Sequence, residues 1–290
     1  MRDHSIAPRH EPSVDSLGAR TRTSAGSTSE RHSSVHWLRG GTGSASTRAM
    51  PLLQFPDLIG DSAPMQGLYS KALSLADAGH PILITGKVGS GKSALARALH
   101  RISSRSTGSL RVMRSVAFPD FLATGEEADL LTRARHPAIT ARFGHLVTTG
   151  TLILDEVGDL PFGAQTALAR LLMSQSGPAN VIALSHMDLQ RAVFEGRFRS
   201  DLLCALSRGR LEMPSLSERL DDLKPLAAWF RDRLAPVHGP AADFSDAAFR
   251  AMHRHPWPGN VRELRNRIER AMLVTRTPWV QAADLGLPVG

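Results

Sequence analysis

The sequence is poor in cysteine, in lysine and in long apolar runs. Its single cysteine, Cys204, excludes an internal disulfide framework and a metal site built from several cysteines. No apolar run approaches the roughly 20 residues that cross a bilayer, and the N-terminus lacks the apolar stretch of a secretory signal. These absences exclude a membrane-embedded protein and a disulfide-rich secreted one. They predict a protein of the reducing cytoplasm without a membrane partner.

The basic charge comes almost entirely from arginine, because only four of the 35 basic residues are lysine. A formal net charge of +8 fits contact with nucleic acid or another polyanion. The arginines are scattered along the sequence, which favours a solvated basic surface over a dedicated nucleic-acid groove. Both interpretations stay open at this point.

The 290 residues, 42% of them hydrophobic, provide room for one large domain or two modest ones and exclude wholesale disorder. Residues 1–50 differ from the rest, since they hold 10 Ser, 5 Thr and 5 Gly and show little hydrophobic periodicity. We predict that this segment is disordered. A functional tail that docks on a partner is the alternative.

From residue 51 onward, short apolar runs alternate with amphipathic stretches. Strands that alternate with helices predict an α/β fold, with a parallel sheet covered on both faces, over residues 51–216. The predicted strands are 81–86, 151–156, 180–185 and 209–214, and the helices between them are 91–102 and 162–173.

After about residue 217 the strand signals stop. Three amphipathic patterns, over 218–234, 245–255 and 259–275, predict helices with sensible start signals. Residues 217–290 are therefore predicted to form a small helical lid behind the α/β body.

The strongest motif runs from Gly86 to Ser93 and fits G-x-x-x-x-G-K-[ST] between a predicted strand and a predicted helix. In such a loop the backbone N–H groups close around phosphate oxygens, Lys92 reaches the β- and γ-phosphates, and the Ser93 hydroxyl holds Mg²⁺. A chance glycine-rich turn is the alternative, which the flanking strand and helix disfavour. The motif predicts a site for ATP and Mg²⁺. The remaining predicted contacts in this loop are Gly86, Gly89, Ser90 and Gly91.

A second motif is the apolar run that ends in Asp155 and Glu156, about 60 residues after the glycine-rich loop. Asp155 is predicted to help hold Mg²⁺, and Glu156 to orient or deprotonate the attacking water. Many strands end in an acidic turn, so this motif gains its weight from the loop that precedes it.

With these motifs in place, residues 58–285 resemble the AAA+ central domain of bacterial enhancer-binding proteins, the activators of sigma-54 RNA polymerase. The stretch GTLILDEVGDLP over residues 150–161 is similar to the family's second ATPase motif, and WPGNVREL over 257–264 to its lid signature. Further similar segments, in the family's order, are 58–65, 91–100 and 198–203.

The resemblance implies roles for three more residues. Arg199 is similar to the arginine finger that reaches the ATP of a neighbouring subunit in a ring, and Arg262 to the lid arginine that senses the γ-phosphate. Ser185 is similar to the polar residue that closes the sensor strand. The alternative for both arginines is a surface ion pair. Three more lid arginines are interpreted as a solvated face, namely Arg265, Arg267 and Arg270.

The family contacts sigma-54 through a loop with the motif Gly-Ala-Phe-Thr-Gly-Ala. The corresponding stretch, 129–143, is several residues shorter, and residues 137–141 are interpreted as a remnant of the motif. Pro137 stands for the first glycine and Ile139 for the aromatic residue. This departure puts productive engagement of sigma-54 in doubt.

Residues that support catalysis in the family also differ in this sequence. Ala205 replaces a second arginine, and His186 follows Ser185 where the family has Thr-Asn. Arg114 is aligned with the asparagine that restrains the catalytic glutamate, so we expect it to form an ion pair with Glu156. Nucleotide binding should survive these changes better than hydrolysis.

Two modules of the family are not expected in this sequence, namely a phospho-acceptor receiver within residues 1–50 and a DNA-binding helix-turn-helix after the lid. We therefore expect no sequence-specific DNA binding by this chain.

Three functions remain open. The first is a ring-forming ATPase, such as a hexamer, that remodels a polymerase–sigma-54 complex. The second is a nucleotide-binding subunit with impaired hydrolysis, which joins a related AAA+ protein or acts as a repressor. The third is an ATPase of the same lineage that serves another partner, for example nucleic acid.

Overall fold

A computed structural model describes the greater part of the chain after residue 54. The predicted disorder of residues 1–50 lies outside this part, as do residues 129–136 of the stretch compared with the sigma-54 loop. The described residues are Phe55, 58–121, 137–174, 179–238 and 242–288.

The centre of the fold is a five-stranded sheet in the order β2-β3-β4-β1-β5, with every neighbouring pair parallel. The register pairs Thr85 of β1 with Ser185 of β4, so the carboxyl ends of the two strands meet at one edge. This sheet confirms the predicted α/β class. Its strands are β1 (Ile82–Thr85), β2 (Leu110–Arg114), β3 (Thr151–Asp155), β4 (Val181–Ser185) and β5 (Gly209–Glu212).

Helices cover both faces of the sheet, and three more helices with a short strand pair, β6 and β7, form the lid. No helix in the described ranges is both long and apolar enough to cross a bilayer. The helices are α1 (Ala63–Leu75), α2 (Lys92–Ile102), α3 (Phe118–Phe121), α4 (Pro137–Thr149), α5 (Phe162–Met173), α6 (Leu189–Phe194), α7 (Ser200–Leu206), α8 (Leu223–His238), α9 (Asp246–Arg254) and α10 (Asn260–Val274), and the lid strands are β6 (Asp243–Phe244) and β7 (Trp279–Val280).

The two faces of the sheet belong to separate apolar clusters. In β3, Leu152 and Leu154 pack with α4 and α5, whereas Ile153 packs on the opposite face with Leu95 and Leu99 of α2. A strand buried on both faces reads as a continuous apolar run rather than as an alternating one. This explains why the central strands were predictable from the sequence.

The lid has its own core around Trp257, which is 1% exposed. The Trp257 indole donates a hydrogen bond to the Met252 carbonyl at 2.8 Å, so its polar edge is satisfied inside the core. Trp257 begins the lid signature, and its burial therefore fixes where α10 starts relative to α9.

One sequence-based expectation about local structure was wrong. Residues 218–222 were predicted as the start of a helix, yet they lie in two 3₁₀ turns, Leu216–Glu218 and Leu220–Asp222, and α8 begins only at Leu223. The Glu218 carboxylate caps back onto the Ser215 amide at 2.7 Å, and Arg219 adopts φ −142°, which ends the first turn. Strand β2 was not predicted at all, because this edge strand is partly exposed and lacks a continuous apolar run.

Residues 137–141, interpreted as a remnant of the sigma-54 loop motif, form the first turns of α4 instead. Ile139 is 3% exposed and packs against Phe118, Phe121 and Phe143. An apolar residue in this position stabilises the core and is not free to contact a partner. Residues 137–141 therefore lie in a helix with Ile139 in the core, and their interpretation as a remnant of the motif stays a prediction.

His100 of α2 makes the stability of the fold pH-dependent. Its Nδ1 lies 2.8 Å from the Thr151 hydroxyl, which in turn accepts a hydrogen bond from the Asn180 amide at 2.6 Å. The Thr151 hydroxyl is thus free to donate to an unprotonated Nδ1. Burial, with a smaller contribution from the Arg101 charge, lowers the pKa of His100.

The unfolded chain therefore binds a proton at His100 at a higher pH than the folded chain does. We expect the free energy of unfolding to fall as the pH falls below about 6.5, the ordinary histidine pKa. Urea unfolding across this pH range should show a shallower decline in His100→Asn, which keeps a polar group at the same position. An equal decline in both proteins would contradict this assignment.

Candidate functional site

The glycine-rich loop, residues 86–91, joins β1 to α2 and lies at the carboxyl edge of the sheet. Gly91 forms the N-cap of α2 with φ 114°, which a residue with a side chain rarely adopts. Among the described residues, the amides of Lys92 and Ser93 at the helix start have no intramolecular acceptor. Free amides at a helix N-terminus favour a bound anion.

Lys92 lies under this loop and is only 6% exposed. Its ammonium donates to the Gly86 carbonyl at 2.9 Å and to the Lys87 carbonyl at 3.3 Å, and it lies 3.8 Å from Glu156 Oε1. Burial lowers the pKa of Lys92, while the carboxylates of Glu156 and Asp155 act in the opposite direction. The ammonium of Lys92 therefore lies at the loop that the motif predicts to bind phosphate.

A cleft of about 280 Å³ opens between the loop and the lid. The carboxyl end of β3 contributes Asp155 and Glu156, and α10 contributes Arg262 together with Arg265. Arg265 is exposed, as expected for a solvated face, and it also lines the cleft. Arg267 differs from that interpretation, since it pairs with Glu263 and donates to the carbonyls of Leu285 and Gly286.

The donors in this cleft suit a magnesium–nucleotide complex. Ser93 and Asp155 both line it and offer a hydroxyl and a carboxylate, the oxygen donors that Mg²⁺ prefers. Lys92, Arg262 and Arg265 supply cations for a polyphosphate. The residues present therefore fit both ATP and Mg²⁺.

Glu156 adopts a left-handed backbone conformation with φ 56° and ψ 62°. Such strain in a residue with a side chain is typical of functional sites. Its Oε2 accepts hydrogen bonds from the His186 amide at 3.1 Å and from His186 Nδ1 at 2.6 Å. The ion pair expected between Arg114 and Glu156 is not among the ion pairs of the described residues, where Glu156 contacts Lys92 and His186.

Ser185, predicted to contact the nucleotide, does not line the cleft. It is fully buried, and its hydroxyl donates to the Met187 carbonyl at 3.1 Å and accepts from the Met187 amide at 3.0 Å. This hydroxyl closes the turn after β4. The side chain at the next position, His186, makes the contact with the cleft residues.

Arg199 lies outside the cleft of its own chain. It caps α7 and forms a two-point ion pair with Asp201, at 2.9 Å and 2.7 Å, while its guanidinium lies 5.6 Å from the ring centre of Phe162. A surface ion pair and a finger in a neighbouring cleft both fit its position.

The lid is hydrogen-bonded to the glycine-rich loop. The Asn260 amide donates to the Val88 carbonyl at 2.9 Å, and the Arg262 backbone amide donates to the Gly89 carbonyl at 3.3 Å. Asn260 also accepts a hydrogen bond from the Leu216 amide at 2.8 Å. Sequence reasoning did not single out Asn260, although it follows a Pro-Gly pair at a helix start.

Two buried charged residues lie next to the loop and the start of α1. Arg219, 3% exposed, donates to the Ser90 carbonyl at 2.7 Å and contacts Met65 Sδ at 3.1 Å. Asp222 accepts from the amides of Asp61 and Ser62 and from the Ser62 hydroxyl, at 3.0, 2.9 and 2.8 Å. Neither residue was predicted from the sequence, because hydrogen bonds between residues so far apart in the sequence leave no local pattern.

Gly89 should tolerate no side chain. It has φ +75°, and a Cβ built on it would lie 2.3 Å from the Gly259 carbonyl and 3.0 Å from Arg262 Cβ. We expect Gly89→Ala to lower the free energy of unfolding by about 1–3 kcal/mol and to weaken ATP binding, because the lid must move off the loop.

Chemical denaturation and ATP titration of the variant test this prediction. The matched control is Gly67→Ala in α1, where a Cβ would meet nothing within 4 Å. This control should stabilise the helix by about 0.5–1 kcal/mol. Equal behaviour of the two variants would contradict the contact between loop and lid.

Comparisons with known proteins agree with this geometry. The chain is 36% identical to the alginate biosynthesis transcriptional regulatory protein AlgB of Pseudomonas aeruginosa, over 242 residues that make up 78% of this chain and 53% of AlgB. It is 33% identical to the transcriptional regulatory protein ZraR of Klebsiella oxytoca, over 253 residues, 82% of this chain and 57% of ZraR. The chain thus spans about half the length of the curated relatives it matches.

Among solved structures, the crystal structure of NtrX from Brucella abortus in complex with ATP is similar, with a TM-score of 0.67 and 29% identity over 81% of this chain and 55% of NtrX. Two family models match the sequence, the Sigma-54 interaction domain over residues 58–212 and the AAA+ ATPase lid domain over residues 217–288. The protein belongs to the Sigma-54 interaction domain family and carries the lid of the AAA+ ATPases.

Proposed function

We propose that this chain is an ATPase of transcription regulation, which hydrolyses ATP between the subunits of a ring and uses it to remodel a polymerase–sigma-54 complex. The observation that carries the proposal is the cleft where the glycine-rich loop, the end of β3 and the lid arginines meet. It brings Lys92, Glu156 and Arg262, which come from three distant parts of the sequence, into one site. The ATP complex of the similar NtrX supports ATP as the ligand.

In this proposal the chain's own residues bind and orient the nucleotide. Lys92 leaves the carbonyls of Gly86 and Lys87 to bind the β- and γ-phosphates, and the free amides at the start of α2 bind the remaining phosphate oxygens. Ser93 and Asp155 would hold Mg²⁺, which neutralises charge on the phosphates. Arg262 contacts the γ-phosphate from the lid, so that nucleotide binding closes the lid on the loop.

Glu156 is the group that orients the attacking water and accepts its proton. Its Oε2 is occupied by two donors of His186, and its Oε1 faces Lys92 at 3.8 Å. Once Lys92 moves to the phosphates, Oε1 is the oxygen left to contact water. The carboxylate then acts as a positioned base beside the γ-phosphate.

Arg199 completes the site from a second copy. It does not line the cleft of its own chain. Its ion pair with Asp201 holds the guanidinium at the surface. A cation at the transferring phosphoryl group stabilises the charge that develops there. A ring in which each chain offers Arg199 to its neighbour satisfies this geometry.

The alternative is a nucleotide-binding subunit that hydrolyses ATP poorly and no longer engages sigma-54. Two observations favour it. Ala205 stands where the family has a second arginine, and residues 137–141, the remnant of the contact motif, lie in helix α4 with Ile139 buried. Binding and turnover must therefore be measured separately.

Mixing two inactive variants tests the proposal. Arg199→Ala leaves a cleft with Glu156 but no finger, and Glu156→Gln leaves a finger but no base. Each variant alone should lose at least about 100-fold in turnover, and the mixture should regain a measurable fraction of the rate. Arg208→Ala, which removes another exposed arginine after α7, should keep the rate and serves as the control.

If the mixture of the two variants does not regain turnover, this result would contradict the proposal that Arg199 acts on the ATP site of a neighbouring subunit. Tight ATP binding without turnover in the unmodified chain would establish the alternative instead.

A further inference from the structure

His186 is bound to Glu156 at two points. Its backbone amide lies 3.1 Å and its Nδ1 2.6 Å from the same carboxylate oxygen, Oε2. The second contact is among the short hydrogen bonds expected when one partner is charged. His186 thus acts on Glu156; it does not line the cleft between the loop and the lid, but it lines a second cavity that reaches Gly86 and Lys87.

The chemistry of the pair fixes the proton on the ring. An ionised carboxylate only accepts hydrogen bonds, so the Nδ1 that contacts it must carry a proton. The ring therefore adopts the Nδ1–H tautomer while it is neutral. This is an observable consequence of the contact.

The contact also fixes the direction of Glu156. The backbone of Glu156 sets the start of the side chain, but its rotatable bonds leave the carboxylate free to turn. With Oε2 held by His186, Oε1 is directed toward Lys92 and the cleft. Rotation of the Glu156 carboxylate about its side-chain bonds is therefore restricted.

We propose that His186 is the positioning residue of Glu156, and that its Nδ1–H holds Oε1 in the direction of the attacking water. This inference deepens the proposed hydrolysis and rests on it. The Nδ1 of histidine and the side-chain nitrogen of asparagine are both attached to Cγ, so asparagine can donate from the same place. Glutamine places its nitrogen one bond further out, and alanine provides no donor.

Steady-state kinetics of the full chain with Mg·ATP provide the first test. We expect His186→Gln and His186→Ala to lower kcat by about 10–100-fold, since a small misplacement of a catalytic group has an effect of this size. Their KM for ATP should stay within about twofold, because His186 does not line the cleft between the loop and the lid that is proposed to bind ATP. His186→Asn should retain most of the parental kcat. Equal values of kcat in the Asn, Gln and Ala variants, or an effect on KM alone, would overturn the proposal.

The second test does not depend on turnover. Two-bond ¹H–¹⁵N spectra at about pH 8, above the ordinary histidine pKa, report which ring nitrogen carries the proton. The signal that disappears in His186→Asn should show the Nδ1–H tautomer, and Glu156→Ala should shift it toward Nε2–H. An Nε2–H tautomer in the parent chain would overturn the proposal.

The two tests separate this inference from the proposed function. A parent chain that binds ATP without hydrolysing it would contradict the proposed function. The ring spectra would then decide by themselves whether His186 holds Glu156.

Discussion

Lys92→Ala is expected to lose at least about 100-fold in ATP turnover, because it removes the cation that stabilises charge on the transferring phosphoryl group. The Lys92 side chain is buried and donates to two carbonyls of the loop, so it lies beside the phosphate site before ATP arrives. Two carboxylates, Asp155 and Glu156, act on it from the other side. Without the lysine they would repel the phosphates directly.

Calorimetric titration with Mg·ATP and turnover assays check this prediction. The control is Lys87→Ala, which removes the same side chain and the same charge from an exposed position in the same loop. This control keeps the Lys87 carbonyl that Lys92 uses. Equal losses in the two variants would show that only the general charge of the loop matters, and would contradict the assignment of the phosphate site.

Asp222→Ala is expected to lower the free energy of unfolding by about 3–5 kcal/mol, because it leaves several buried hydrogen-bond donors without an acceptor. Asp222 is fully buried and accepts three hydrogen bonds from Asp61 and Ser62. Burial lowers the pKa of Arg219, and the Asp222 charge opposes this effect. The substitution would also remove this negative charge near the buried guanidinium of Arg219.

Urea denaturation measures this effect, with Asp221→Ala as the control. Asp221 is the neighbouring acid in the same turn and is exposed, so its removal changes the net charge equally without emptying a buried site. Because Arg219 donates to Ser90, Asp222→Ala should also weaken ATP binding. A loss of stability equal to that of Asp221→Ala would contradict the role of the Asp222 carboxylate as a buried hydrogen-bond acceptor.

The parts of the fold that could be predicted from the sequence are those with strong local patterns. Strands β1, β3 and β4 are buried on both faces and leave continuous apolar runs, and the glycine-rich loop has a fixed spacing. Helix α5 was predicted over its observed bounds, because its apolar residues recur on one face. The local sequence was sufficient to predict each of these elements.

The remaining features depend on contacts between distant residues. The structure, and not the sequence, shows that Arg219 donates to Ser90 and that His186 contacts Glu156. Arg114 was expected to hold Glu156 because of its place in an alignment, but the sequence does not reveal which side chain is within reach. The roles assigned to the site residues, and the division at residues 50 and 216, stay predictions.

In the proposed mechanism, chains assemble so that one chain completes the ATP site of another. Turnover of the full chain, measured against protein concentration, shows whether they do. We expect a rate that rises faster than linearly with protein concentration and vanishes in Lys92→Ala. A rate that stays proportional to protein concentration, or no turnover despite ATP binding, would contradict it.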